Sequence, residues 1–143
     1  MVTLIADTGA LYAAFDRDDQ HHDAVVSYLR TVAAKPIVPP LVLAELDHLA
    51  LVRLGERARA AIMAELAETT VVATFSHAMF VSAADVAARH GEFQLGLTDA
   101  SVMVVAFEHQ THDILTTDQR NFRAVRPLLG GPATAYRLLP FDA

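Results

Sequence analysis

The side chains in this sequence best suited to chemistry are four carboxylates set against apolar residues. Asp7 ends the run Val2-Thr3-Leu4-Ile5-Ala6, and Glu45 is embedded in Leu41-Val42-Leu43-Ala44-Glu45-Leu46. Asp99 opens the stretch Asp99-Ala100-Ser101-Val102-Met103-Val104-Val105-Ala106-Phe107, and Asp118 closes Ile114-Leu115-Thr116-Thr117. Carboxylates brought together away from water repel one another, and some stay protonated unless a cation sits among them. The chain has no cysteine, so its donors would be oxygens, which select hard ions such as Mg²⁺ or Mn²⁺ over Zn²⁺. Such an ion acidifies a bound water and stabilises charge building on a phosphate, and two ions about 4 Å apart would do both, which is the chemistry of phosphodiester hydrolysis.

Each acid also has a plainer reading. Asp7, Asp99 and Asp118 stand at or near expected helix starts, where an aspartate can cap free N–H groups and complement the helix dipole. Glu45 resists this explanation. Its helical neighbours three and four residues away are Leu41, Val42, His48 and Leu49, so it calls for a buried partner or a cleft. Asp47 points to nearly the opposite side of the same helix. His48, one turn from Glu45, is either a hydrogen-bond partner or a core histidine. Thr8, Thr98, Thr116 and Thr117 flank the aspartates and could orient a water or a phosphate oxygen; for Thr98 and Thr117 the strand or cap role is the stronger reading. His21, His22 and Asp23 could suggest a transition-metal site but read better as the polar start of a helix.

The elements that must position these groups alternate. Strand signals fall at 3–7, at Pro36-Ile37-Val38-Pro39-Pro40, at 70–75, at 113–117 and near 136–139. Helical spacing covers 8–15, 21–34, 41–54, 56–68, Ser76 to His90, 98–109 and a short turn at 119–124. Gly55 separates the third and fourth helices into a helical hairpin, Gly91 is expected to stop the fifth, and Gly130-Gly131-Pro132 reads as a turn. Strands separated by helices imply a parallel sheet covered on both faces. Ligands of such sheets bind beyond the carboxyl ends of the strands, where Asp7 and Asp118 fall.

Composition bounds the rest. At 143 residues and 53% apolar, the chain can build a core without disulfides. No apolar run approaches the roughly 20 residues that span a bilayer, and the N-terminus lacks a basic leader, so a soluble cytoplasmic protein is expected. The net charge of −6, with Lys35 the single lysine, disfavours a general nucleic-acid coat protein; bound cations would reverse that locally. Arg53, Arg57 and Arg59 form one basic group and Arg120, Arg123 and Arg126 another, each either a phosphate contact or a solvated helix face. There is no Gly-x-Ser-x-Gly elbow and no glycine-rich phosphate loop with lysine. An aspartyl phosphatase would need a second aspartate where Gly9 stands, and a phospho-acceptor receiver would need a lysine near the C-terminal strands.

At its acidic motifs the sequence resembles a PIN domain and, within that family, the VapC toxin ribonucleases of bacterial toxin–antitoxin pairs. The resemblance runs through Ile5-Ala6-Asp7-Thr8-Gly9-Ala10-Leu11, Val42-Leu43-Ala44-Glu45-Leu46, Leu97-Thr98-Asp99-Ala100-Ser101 and Ile114-Leu115-Thr116-Thr117-Asp118-Gln119-Arg120-Asn121-Phe122. It implies a single domain over 1–143 with a three-layer α/β fold, a central, mainly parallel sheet flanked by helices. Asp7, Glu45, Asp99 and Asp118 match the family's acidic quartet, with Asp7 and Asp99 as the most direct Mg²⁺ ligands and Mn²⁺ as a substitute. Glu45 and Asp118 would complete the shell, act through waters or hold a second ion, and Thr116 matches the hydroxyl residue before the last acid. The implied activity is endoribonuclease cleavage of structured RNA such as tRNA or rRNA, with a VapB-like antitoxin as inhibitor and a homodimer as the assembly. The departure is Gly9, where the family commonly has a hydroxyl residue. An RNA-binding or assembly module of the same fold without nuclease activity is the alternative; a complete quartet argues against it.

Overall fold

The strands are brief, and the first two run within one residue into a helix at their carboxyl ends. In the computed structural model, which describes residues 2–129 and 135–143, β1 (Ile5–Ala6), β2 (Ile37–Val38), β3 (Val71–Val72), β4 (Asp113–Leu115) and β5 (Arg137–Leu139) form one sheet in the order β3-β2-β1-β4-β5. All neighbouring pairs are parallel, and the register sets Ile5 opposite both Ile37 and Ile114, and Leu115 opposite Leu139. The expected five-residue first strand is laddered over only two, yet its flanks still pair. Ile37 N–H reaches the Leu4 carbonyl at 2.9 Å, and Asp7 N–H reaches the Leu115 carbonyl at 2.8 Å. Beyond Ala6 the chain turns at once into α1 (Thr8–Phe15), with Asp7 extended at its start.

Helices flank this sheet: α2 (His22–Leu29), α3 (Pro40–Leu54), α4 (Glu56–Thr69), α5 (His77–Arg89), α6 (Leu97–Glu108) and α7 (Gln119–Ala124). Every residue of α6 from Ala100 to Ala106 is buried, so it is an interior helix, apolar on all sides. Ile5, Ile114, Leu115 and Leu138 of the sheet are also fully buried. Pro40 opens α3 at the position where a missing N–H is harmless. Gly55 joins α3 to α4 at φ +92°, a conformation glycine adopts without steric penalty, and its N–H serves the Ala50 and Leu51 carbonyls. Ser76 caps α5, its hydroxyl accepting from Met79 N–H at 3.2 Å.

The second and fifth helices end earlier than the periodicity implies. The helix expected over 21–34 ends at Leu29: Thr31 N–H and hydroxyl both turn back to the Tyr28 carbonyl, and Pro36 bars helical geometry at Lys35. The fifth helix stops at Arg89, before Gly91. A 3₁₀ turn over Gly91–Phe93 follows, and the left-handed residue that ends it is Gln94. The turn expected at Gly130-Gly131-Pro132 lies outside the described residues. No helix among the described residues is long and apolar enough to cross a membrane.

A tight approach joins α1 to the end of β4. A Cβ built on Gly9 would lie 2.5 Å from Thr117 Oγ1. Threonine is stiff at χ1, so Gly9→Ala is expected to destabilise the fold by about 1–3 kcal/mol through overpacking. Thr117→Ala in the same chain should remove most of that loss, measured as a double-mutant cycle by urea unfolding.

Candidate functional site

Parallel pairing ends β1 and β4 on the same side, which brings Asp7 and Asp118 to one edge of the sheet. Asp7 is 5% exposed at the start of α1. Thr116, fully buried just past β4, donates its hydroxyl to Asp7 Oδ2 at 2.9 Å and accepts from Asp118 N–H at 2.9 Å. Asp118 in turn caps α7, its Oδ1 accepting from Asn121 N–H at 3.1 Å. The Asn121 side-chain Nδ2 then spans two carboxylates, donating to Asp118 Oδ2 at 3.1 Å and to Asp99 Oδ2 at 3.2 Å. Asp99 sits in the first turn of α6. A continuous hydrogen-bonded chain thus links three acids from three elements: Asp7, Thr116, Asp118, Asn121, Asp99.

The electrostatics are those of a crowded anionic site. Burial, followed by the charge of Asp99, raises the Asp7 carboxyl to about 7, against the downward pull of the Thr8 backbone N–H and the Thr116 hydroxyl, with Asp118 raising it further. Burial and then the Asp118 charge raise Asp99 to about 6; the Asn121 hydrogen bond opposes this, and Glu45 adds to it. Glu45 is therefore close enough to act on Asp99, and it sits on the exposed side of α3, so a buried partner is not what it found. The apolar run of α3 is not a core helix all round, because Leu51 and Val52 of the same helix are 41% and 68% exposed.

Several other candidates lie outside the cluster. Asp47 is 3.5 Å from Arg59 across the α3–α4 hairpin, and Arg59 also pairs with Glu56. His48 is exposed. Arg53 lies over the Tyr12 ring at 5.1 Å, and Arg123 pairs with Asp142 at 2.9 Å. His22 Nδ1 lies 2.7 Å from the Ala13 carbonyl and the His21 ring meets Phe141 edge-on, so the histidine pair is structural. Asn121 was not singled out in the sequence. The available signal was its place three residues after a capping aspartate and directly before the buried Phe122.

Among the described residues, no group of three or more His, Asp or Glu side chains is already gathered as a metal cage. Mg²⁺ does not require one. It retains waters and takes one or two carboxylates directly, and an all-oxygen cluster with raised carboxyl pKa values suits a hard cation. Thr8 Oγ1, buried without a hydrogen-bond partner beside Asp7 in sequence, is a further oxygen donor without an internal role.

A scan against family models matches the PIN domain over residues 4–127. Ribonuclease VapC26 of Mycobacterium tuberculosis is 37% identical over 132 residues, covering 92% of this chain and 98% of the relative. Among solved structures, the sarcin-ricin loop cleaving toxin VapC20 of Mycobacterium tuberculosis superposes with a TM-score of 0.76 at 21% identity, covering 82% of this chain and 91% of that one. VapBC2 from Rickettsia felis, bound to a DNA fragment from their promoter, superposes with a TM-score of 0.69 at 15% identity, covering 90% and 96%.

The raised carboxyls set a pH dependence. Between 3.8, the ordinary aspartate value, and about 7, folded Asp7 holds a proton that the unfolded chain has released. This contribution is present below the unfolded pKa and is lost as pH rises through the folded one. Without divalent ions the melting temperature should fall from pH 5 to pH 8, and millimolar Mg²⁺ should restore it at pH 8 by mass action. Asp7→Asn should flatten the pH profile and remove most of the Mg²⁺ gain, both read by differential scanning calorimetry.

Proposed function

The chain belongs to the PIN-domain family, on its VapC ribonuclease branch, and from that premise we propose that it is a metal-dependent endoribonuclease cutting structured RNA such as tRNA or rRNA in the cytoplasm. The observation that carries this reading is the hydrogen-bonded chain joining Asp7, Asp118 and Asp99 at the carboxyl edge of the sheet, where neighbouring carboxylate charges raise the pKa values of Asp7 and Asp99.

In this reading Asp7 and Asp99 would hold Mg²⁺, or Mn²⁺ in its place, with Glu45 and Asp118 as supporting acids. Such a cation, when bound, would supply Lewis acidity toward the scissile phosphate. Thr116 fixes the rotamer of Asp7 through its hydroxyl, so that the carboxylate meets the cation without reorganising. Glu45, the most exposed of the four, stands where substrate approaches. Burial of Asp7 keeps bulk water from the innermost carboxylate and strengthens its attraction for a cation. Arg120, exposed on α7 two residues after Asp118, is a guanidinium suited to an RNA phosphate.

The proposed partner is a VapB-like antitoxin. A groove of about 520 Å³ between α1, α2 and α4, lined by Leu11, Phe15, Leu29, Val32 and Leu66, supports docking of an apolar antitoxin helix. Exposed Leu51, Val52 and Leu54 at the end of α3 support association with a second copy, since contiguous exposed apolar surface marks interaction sites.

The test is cleavage of total RNA by the purified protein. Cutting should require Mg²⁺ or Mn²⁺, and Asp7→Asn or Asp99→Asn should lower the rate by about a hundredfold or more, as loss of a group aimed at transition-state charge does. Thr116→Val should lose about tenfold or more through misplacement of Asp7. Undiminished cleavage in EDTA would overturn the mechanism.

A further inference from the structure

The Asn121 side chain touches two of the carboxylate groups at once. A primary amide has two N–H donors, and the Asn121 Nδ2 serves Asp99 Oδ2 and Asp118 Oδ2 at 3.2 and 3.1 Å. The two carboxylates come from separate elements, α6 and the turn before α7, and their charges repel. We propose that Asn121 is a positioning residue that sets the spacing of Asp99 and Asp118 for a divalent cation, its amide standing in for part of the cation's charge while no ion is bound. This rests on the metal-dependent reading above.

The neighbours of Asn121 fix where its amide points. Phe122 is fully buried and packs edge-on against Tyr136, with ring centroids 6.1 Å apart. Arg123 pairs with Asp142, which also accepts the Leu138 N–H at 2.8 Å. Asp118 holds the backbone of Asn121 itself. A short helix that would otherwise fray is thus tied down on both sides of the amide. The chemistry of the amide also suits the role. A lysine there would neutralise the carboxylates permanently and compete with the cation, whereas a carboxylate would add repulsion. A neutral donor orients both aspartates and leaves their net charge available to an incoming ion. Loss of a group that orients metal ligands in this way typically costs about 10–100-fold in metal affinity.

The experiment measures Mn²⁺ binding by the paramagnetic resonance of free ion, together with melting temperature, for the wild type, Asn121→Ala and Asn121→Asp. The Asn121→Ala protein should bind Mn²⁺ about tenfold or more weakly. The Asn121→Asp protein should melt below the wild type without metal and gain more from Mn²⁺ than the wild type does, because only a cation relieves the added repulsion; a purely structural role would give both variants the same metal response. In the wild type, the side-chain amide signals of Asn121 in nitrogen-15 spectra should move as Mg²⁺ saturates. Unchanged Mn²⁺ affinity in Asn121→Ala, or amide signals that do not move, would overturn the assignment alone. A wild type that binds no Mn²⁺ would overturn the metal-dependent reading and this assignment with it.

Discussion

Mutual repulsion among carboxylates held at one edge of a parallel sheet is the constraint around which this molecule is organised. Strands β1 and β4 are hydrogen-bonded neighbours running the same way, so the residues that follow them emerge together. Each of those exits carries an aspartate, and α6 adds a third from its first turn. Burial makes ionisation of Asp7 unfavourable, and its neighbours make it more so. A cluster of this kind weakens the fold that carries it, a conflict characteristic of functional sites. The surrounding core, with α6 enclosed and four of the five strands contributing fully buried residues, holds the cluster in place.

Local backbone geometry softens the conflict. Asp7 precedes α1, Asp118 precedes α7, and Asp99 lies in the first turn of α6. All three carboxylates therefore face helix N-termini, where dipoles and free N–H groups favour negative charge. The capping reading and the site reading of these residues are not rivals. Asp118 is a cap by hydrogen bond and a member of the acidic cluster at the same time. Asp7 occupies the cap position of α1 without making a side-chain cap to the helix interior; its Oδ2 is committed instead to Thr116.

Much of the fold was legible because its signals are local. Alternating strand and helix patterns, Pro40 at a helix start, Gly55 at a hairpin and Ser76 as a cap all act through a few neighbouring residues, and the elements form where those signals fall. The misplaced boundaries have causes of longer range or finer chemistry. The second helix ends early because a threonine hydroxyl competes for its carbonyl and a proline lies ahead. The first strand is trimmed because the chain turns into α1 as soon as Asp7 is reached. For Glu45, apolar neighbours on the helix face left a buried partner and a cleft both open. Which part of that face meets the core depends on how α3 packs against α1, α4 and α6.

The sequence by itself determined the residue types and their order: four acids beside apolar segments, hydroxyls next to them, no thiol, and element spacing that sends the aspartates to strand ends and helix starts. Periodicity and propensity are properties of short windows, so these features needed no knowledge of the whole. Only the tertiary structure decided which acids share a cluster and what lies between them. Asp7 and Thr116 are more than a hundred residues apart in the chain, and their hydrogen bond exists because β1 and β4 pair. Asp47 went to Arg59 rather than to the site because the α3–α4 hairpin closed on it. Asn121, a polar residue on a short helix, became the bridge between Asp99 and Asp118 because Phe122 and Arg123 anchor that helix where its amide meets both.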